Sequence, residues 1–314
     1  MLKRSVLSFW SWFALGVIVI VWTPLVFIVW ITTTPFDKGR YATGYTFRRL
    51  CVLHQWLNPL WKFHTSGELP KNKRNPYVMV SNHESFVDML LISHLKIEMK
   101  WLSKEAILKI PLVGWMMKMS GDVSLVRGDR SSGAAALKVC ETWLDRKISV
   151  MIFPEGTRSL DGEIRAFKDG AFRLAITTGT PILPMAVHGT RSALRKHDWR
   201  MGDTNAEVRV LEPISTEGMT EEDIPVLRER VRDLIVAEVA KSLGALTVAV
   251  VSKPFSHEGQ KCMDIAEEGL DELTKHVDSL IVILNEKLED IYEDESMLDW
   301  MQHADDVLNN AVAG

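Results

Sequence analysis

His83 and Asp88 lie five positions apart in Ser81-Asn82-His83-Glu84-Ser85-Phe86-Val87-Asp88, directly after the apolar run Tyr77–Ser81. On one straight helix that spacing turns through about 500°, so the two side chains would point to different faces. They meet only if His83 stays in a turn and Asp88 sits in the first helical turn. Such a dyad lets the carboxylate fix the imidazole tautomer and stabilise the imidazolium, leaving the other nitrogen as general base. The competing reading is structural: Ser85 and Asp88 form an S-x-x-D capping box, and His83 is a loop histidine. The string alone leaves both open, although the carboxyl end of a strand is where α/β sheets place ligands.

A second group follows the run Ser149–Phe153, as Phe153-Pro154-Glu155-Gly156-Thr157-Arg158-Ser159. Pro and Gly make a tight turn, and Arg158 can grip a phosphate with two parallel bonds. Arg127 and Arg130 lie in Val126-Arg127-Gly128-Asp129-Arg130, and Lys168 precedes a helical pattern in Ala166-Phe167-Lys168-Asp169-Gly170. Singly, each reads as a solvated charge. Together, cations in loops beside strand and helix ends point to a phosphate pocket. There is no G-x-S-x-G, no H-E-x-x-H and no Gly-rich P-loop, so esterase, zinc-protease and nucleotide readings lack support. The expectation is catalysis without metal or cofactor. Cys51, Cys140 and Cys262 are distant and odd in number, which reads as ordinary thiols in a reducing compartment.

Positioning these groups takes a layered scaffold. Tyr77–Ser81, Val123–Val126, Val150–Phe153 and Ile182–Val187 read as buried strands, with Val208–Leu211 as a fifth. Helical patterns fall at about 86–95, 103–118, 132–146, 169–178 and 221–243, the last opened by Thr220 with Asp223 three residues on. Strand–helix alternation predicts an α/β fold: a mostly parallel sheet flanked by helices.

The ordered motifs resemble the glycerolipid acyltransferase family, most closely bacterial 1-acyl-glycerol-3-phosphate acyltransferases. The H-x4-D signature is Asn82-His83-x4-Asp88, and the E-G-T-R signature is Glu155-Gly156-Thr157-Arg158. The intervening arginine block matches Gly121–Arg127, the proline-containing strand matches Pro181-Ile182-Leu183-Pro184, and Lys104 resembles the family lysine beside the acceptor phosphate. The match covers about residues 70–215. It implies acyl transfer from acyl-CoA or acyl-carrier protein to the free hydroxyl of a lysophospholipid, with lysophosphatidic acid favoured. His83 and Asp88 would be catalytic. Lys104, Arg127, Glu155, Gly156, Thr157, Arg158, Lys168 and Pro184 would bind substrate. Another lysolipid acceptor, such as a lyso-aminolipid, is the alternative within enzymes. A catalytically silent membrane scaffold is the alternative outside them, and intact His83 and Asp88 argue against it.

The net charge of −4 hides a split. Residues 1–200 carry 28 Lys and Arg against 15 Asp and Glu, and residues 201–314 carry 9 against 26. The basic part suits an anionic surface or phosphate ligand, and without a nucleic-acid motif the expected partners exclude nucleic acid. Ser5–Phe36 contains no charge, and its 19-residue core Phe13–Ile31 is long enough for a bilayer's hydrocarbon. It is too long for a signal peptide. Basic residues on both flanks (Lys3 and Arg4, then Lys38, Arg40, Arg48, Arg49 and Lys62) favour one side of the membrane. With Pro24 at mid-segment, a kinked hairpin is expected, a single crossing being its rival. Residues 45–63 read as an amphipathic helix, at the interface or on the core. The expected organisation is membrane-embedded and interfacial helices over 1–65, an acyltransferase domain over 66–244, and a linker with an acidic helical extension over 245–314. The active site is expected on the cytoplasmic face. Leu270, Leu273, Val277, Leu280, Leu284, Leu288 and Ile291 follow helical spacing. A second helix is expected from Ser296. The extension reads either as a hairpin packed on the basic domain or as a self-association helix.

Overall fold

A computed structural model describes residues 2–72, 74–159, 162–195, 198–245, 248–255 and 259–285, with Lys287, Gln302, His303, Asp306 and Val307. The chain forms two compact units, Met1–Arg232 and Asp233–Gly314.

In the first unit the elements run α1 (Leu2–Thr33), α2 (Tyr41–Leu57), β1 (Trp61–Gly67), β2 (Val78–Ser81), α3 (Asp88–Ile92), β3 (Met99–Lys104), α4 (Glu105–Leu108), α5 (Val113–Ser120) and β4 (Val123–Leu125). Next come α6 (Arg130–Asp145), β5 (Ser149–Ile152), α7 (Gly170–Thr178), β6 (Ile182–His188), β7 (Thr204–Val210) and α8 (Ile224–Ser242), the last running on into the second unit. The seven strands form one sheet in the order β1-β7-β6-β2-β5-β3-β4. Neighbours from β6 to β4 are mutually parallel, and β7 is antiparallel to β6. Five carboxyl ends therefore share one edge. Apolar side chains on both faces of β2 and β5 leave no solvent-facing row, as expected of a parallel sheet covered on both sides. Tyr77, Met79, Met99, Trp101, Met151, Leu183 and Met185 pack with Leu91, Ile92 and Leu95 in one core cluster.

The five expected strands are present, and β1 and β3 are additional. Trp61–Gly67 belongs to a strand, so the helix expected over 45–63 ends at Leu57. β3 reads Met-Lys-Trp-Leu-Ser-Lys, which looks too charged for an interior strand. Its Lys100 is nonetheless fully buried, its ammonium 2.9 Å from Glu98 and 3.1 Å from the Arg40 carbonyl. Pairing is what admits such a charge to the interior. Arg48, one of the basic residues flanking the apolar segment, is likewise buried on α2. It grips Asp122 at 2.5 and 3.1 Å and donates to the Met99 carbonyl, while Asp122 also accepts from Trp101 N. α2 is thus bolted to the sheet through a buried charge pair. Removing one partner strands the other. Asp122→Ala should cost about 3–5 kcal/mol by denaturant titration in detergent. A loss below about 1 kcal/mol, the worth of an exposed pair, would show that water reaches Arg48.

α1 is one continuous helix of 32 residues that contains Pro24 and does not reverse there. The hairpin expectation is corrected. Proline removes one backbone donor, which one turn of a long helix can lose without turning back. Polar links tie α1 to the unit along its length: Arg4 Nε to the Met201 carbonyl, Trp10 to Leu57, Trp12 to Trp199 and Trp22 to Thr46. Ile18, Val19 and Val26 pack with Phe47, Leu50, Leu108, Met116 and Met117. The outer face keeps Val6, Phe9, Phe13, Ile20, Val21 and Ile28 exposed. α2 packs on α1, α3 and α5, so of its two readings the core-packed one describes it.

Within the second unit, β8 (Val248–Lys253) and β9 (Ser279–Leu284) pair in parallel from Val248↔Ser279 to Lys253↔Leu284, joined by α9 (Gln260–Thr274). This is a strand–helix–strand crossover. The single helix expected across 270–291 is corrected: it ends at Thr274, and Leu280 and Leu284 lie in a strand. Leu288 and Ile291, and the second helix expected at Ser296, fall outside the described residues.

Candidate active site

β2 ends at Ser81, and Asn82 then substitutes its side chain for the next ladder rung. Its amide donates to the Val187 carbonyl at 2.7 Å and its Oδ1 accepts from Val187 N at 2.8 Å. With β2 sealed to β6 by a side chain, the backbone is free to turn away at His83. Two loop contacts hold that turn. His83 N donates to Glu155 Oε1 at 2.7 Å, and Ser159 N donates to the His83 carbonyl at 2.8 Å. The imidazole stacks on Phe153, ring centroids 3.9 Å apart and planes 14° from parallel.

Asp88 opens α3 and is wholly buried. Its Oδ2 lies 2.7 Å from His83 Nδ1 and accepts from Glu84 N at 2.8 Å and Ser85 N at 2.9 Å. Only the carboxylate half of the expected capping box forms, since Ser85 Oγ accepts from Val87 N and Asp88 N donates to the Ser85 carbonyl, and the same carboxylate holds the histidine. Oδ1 accepts from the Thr190 hydroxyl. Four donors thus meet this one carboxylate. With Nδ1 committed to Asp88, Nε2 is the imidazole nitrogen left for a substrate proton.

The E-G-T-R turn divides its tasks. Glu155 is 4% exposed and turns inward, accepting from His83 N and Arg165 N. It braces the His83 turn instead of facing a substrate. Burial pushes its carboxyl up, against these donors. Gly156 has φ +71°, a backbone region that L side chains avoid. A Cβ there would also lie 2.7 Å from Lys168 Nζ, so glycine lets that ammonium settle on the turn. Lys168 N in turn donates to the Pro154 carbonyl at 3.0 Å. Thr157 and Arg158 follow, both half-buried.

Lys104 ends β3, beside β5, and Arg127 follows β4. Both are exposed. Arg127 is held below the usual arginine range by partial burial and then by the Arg158 charge, so the two guanidiniums lie within electrostatic reach. Among the described residues no carboxylate forms an ion pair with Lys104, Arg127, Arg158 or Lys168. Like charges gathered without a counter-charge favour an anion between them. Arg130 starts α6. Pro184 is not brought to this edge. It sits buried inside β6, paired with Val80, its carbonyl accepting from Leu211 N. It builds the sheet.

Sequence reasoning missed Thr190, Asn82 and the stacking role of Phe153. Thr190 lies over 100 residues from Asp88, and no local spacing announces that contact. Phe153 was legible as the last residue of an apolar run, although its ring partner was not.

A family model described as Acyltransferase matches residues 62–188. Another, the Tubulin/FtsZ family GTPase domain, matches residues 234–293. The 1-acyl-sn-glycerol-3-phosphate acyltransferase alpha of Homo sapiens is 31% identical over 198 residues, 62% of this chain and 70% of that protein. The chloroplastic enzyme LPAT1 of Arabidopsis thaliana is 42% identical over 134 residues, 42% of this chain and 37% of that protein. The chain spans less than half the length of that plant relative. Among solved structures, the 1-acyl-sn-glycerophosphate (LPA) acyltransferase PlsC of Thermotoga maritima superposes with TM-score 0.65 at 25% identity, over 78% of this chain and 97% of that one.

Proposed function

The chain belongs to the acyltransferase family, and on that premise we propose that it moves a fatty acyl group from a thioester, acyl-CoA or acyl-carrier protein, to the hydroxyl of lysophosphatidic acid, yielding phosphatidic acid. The observation that carries the reading is the juxtaposition on one sheet edge of a buttressed His83–Asp88 pair with Lys104, Arg127, Arg158 and Lys168, none neutralised by a carboxylate among the described residues. His83 Nε2 takes the acceptor's hydroxyl proton as the oxygen attacks the thioester carbonyl. Asp88 stabilises the imidazolium that forms. Collapse of the tetrahedral intermediate breaks the carbon–sulfur bond, and the imidazolium returns its proton to the departing sulfur. The scheme needs no covalent acyl-enzyme and no cofactor. The cations supply positioning, converting phosphate binding into alignment of the hydroxyl.

The membrane enters through α1. Its outward apolar face, tied lengthwise to the first unit, lies along a lipid surface with the catalytic edge on the cytoplasmic side, where soluble thioesters are found. Both ends of the helix stay with the unit in this arrangement, Arg4 at one and Arg40 just beyond the other. No crossing is needed.

The test is an acyl-transfer assay with purified protein, a panel of lysolipids with and without phosphate, and both donor types. Lysophosphatidate should be the preferred acceptor. Arg158→Ala and Lys104→Ala should each raise its KM about tenfold, the worth of one charge-assisted contact, with smaller changes in kcat. Preference for a phosphate-free acceptor, a lyso-aminolipid included, would overturn the role given to these cations.

A further inference from the structure

We infer that Thr190 is a positioning residue of the His83–Asp88 pair and that Glu84 sets the direction of its hydroxyl, an inference resting on the acyl-transfer reading above. Thr190 sits just past the end of β6, beside β2, and is fully buried. The cation-bearing loops flank His83 on one side, and Thr190 closes the other. Its Oγ1 donates to Asp88 Oδ1 and stands 3.3 Å from Glu84 Oε2. Among the described residues Thr190 is the one partner of Oδ1, while the other three donors crowd onto Oδ2. The carboxylate's orientation toward His83 therefore depends on a bond at each end.

A hydroxyl has one proton and serves one acceptor at a time. While Thr190 donates to Asp88, its contact with Glu84 is a hydrogen bond only if Glu84 carries a proton and donates in turn. The surroundings favour that state. Burial first, and then the charge of Asp88, lift the Glu84 carboxyl to about 7, against a backbone bond from Arg191, the Thr190 hydroxyl and the Arg191 charge. His83 adjoins Glu84 in the same turn, and Glu155 reaches that turn from β5. Glu84 then donates to Thr190 and Thr190 to Asp88, while His83 Nδ1–H donates to the other carboxylate oxygen, so every proton in the chain points toward Asp88. Once Glu84 ionises, two carboxylates compete for one hydroxyl proton, and Asp88 loses its outer anchor for part of the time.

The experiment compares Thr190→Val, Thr190→Ser and Glu84→Gln with wild type, as full-length protein in detergent. Thr190→Val keeps the volume and removes the donor. It should lower kcat about 10- to 100-fold, as for loss of a bond to a charged group, and leave the acceptor KM within roughly threefold. Thr190→Ser should restore most of the loss. The wild-type pH profile should fall above about 7 as Glu84 ionises. In Glu84→Gln the amide donates to Thr190 at every pH, so that decline should vanish. Wild-type kcat in Thr190→Val, or an unchanged alkaline limb in Glu84→Gln, overturns the inference. If wild type acylates no acceptor, the function reading fails, and the 15N resonance of His83 Nδ1 still decides this one: it should differ between wild type and Thr190→Val, and identity of the two would overturn it.

Discussion

His83→Ala should lower acyl transfer by about 10²–10⁴-fold, the range typical for loss of a general base, with little loss of folded protein. The asymmetry follows from how the residue is held. Its backbone N–H and carbonyl are taken by Glu155 and the Ser159 amide, and both bonds survive truncation of the ring. Phe153 loses its stacking partner. Asp88 keeps its bonds to Glu84 N, Ser85 N and Thr190. Turnover of purified variant with lysophosphatidate, beside a thermal melt, checks both halves. Near-normal turnover would remove His83 from the chemistry. Activity lost together with cooperative melting would mean the ring is structural.

Asp88→Asn should be more damaging in total, because one carboxylate serves two purposes. An amide in its place turns an NH₂ toward donors that need acceptors, and where that NH₂ faces Nδ1 it imposes the wrong imidazole tautomer. In the triad where this was dissected the drop is about 10⁴-fold, and a loss of about 10³–10⁴-fold in kcat is expected here. Leaving buried donors unmet should cost about 1–3 kcal/mol as well. The acceptor KM should move little, since Asp88 is buried away from the cations. Steady-state kinetics with denaturant titration separate the two effects. A large rise in KM with kcat preserved would place Asp88 in acceptor binding and contradict its place behind His83.

Where reading from residues succeeded, the signal was local. Short β-rich runs bounded by turn residues read as strands, and all five are present in the sheet, four inside it and β4 at its edge. The capping box at Thr220 and Asp223 formed as its spacing requires. Where it failed, a partner far along the chain decided. β3 carries Lys100 in mid-strand, and Glu98 and the Arg40 carbonyl are what make that ammonium tolerable inside. In the tail, Leu280 to Leu284 fit helical spacing, yet they also form an unbroken apolar run rich in β-branched residues. Such short runs suit either element, and pairing with β8 made this one a strand.

The same division runs through the function. The residues and their order alone specified the H-x4-D and E-G-T-R groups, the loops that carry them and an apolar N-terminal helix, because turns, strand runs and charge-free stretches are properties of neighbouring residues. Only the tertiary structure decided that Glu155 braces the His83 turn, that Pro184 belongs to the sheet, that α1 continues past Pro24 without reversing, and that Thr190 completes the hold on Asp88. Each of those depends on which strand ends become neighbours along one edge, or on what a helix packs against. Such contacts join residues that local periodicity does not relate.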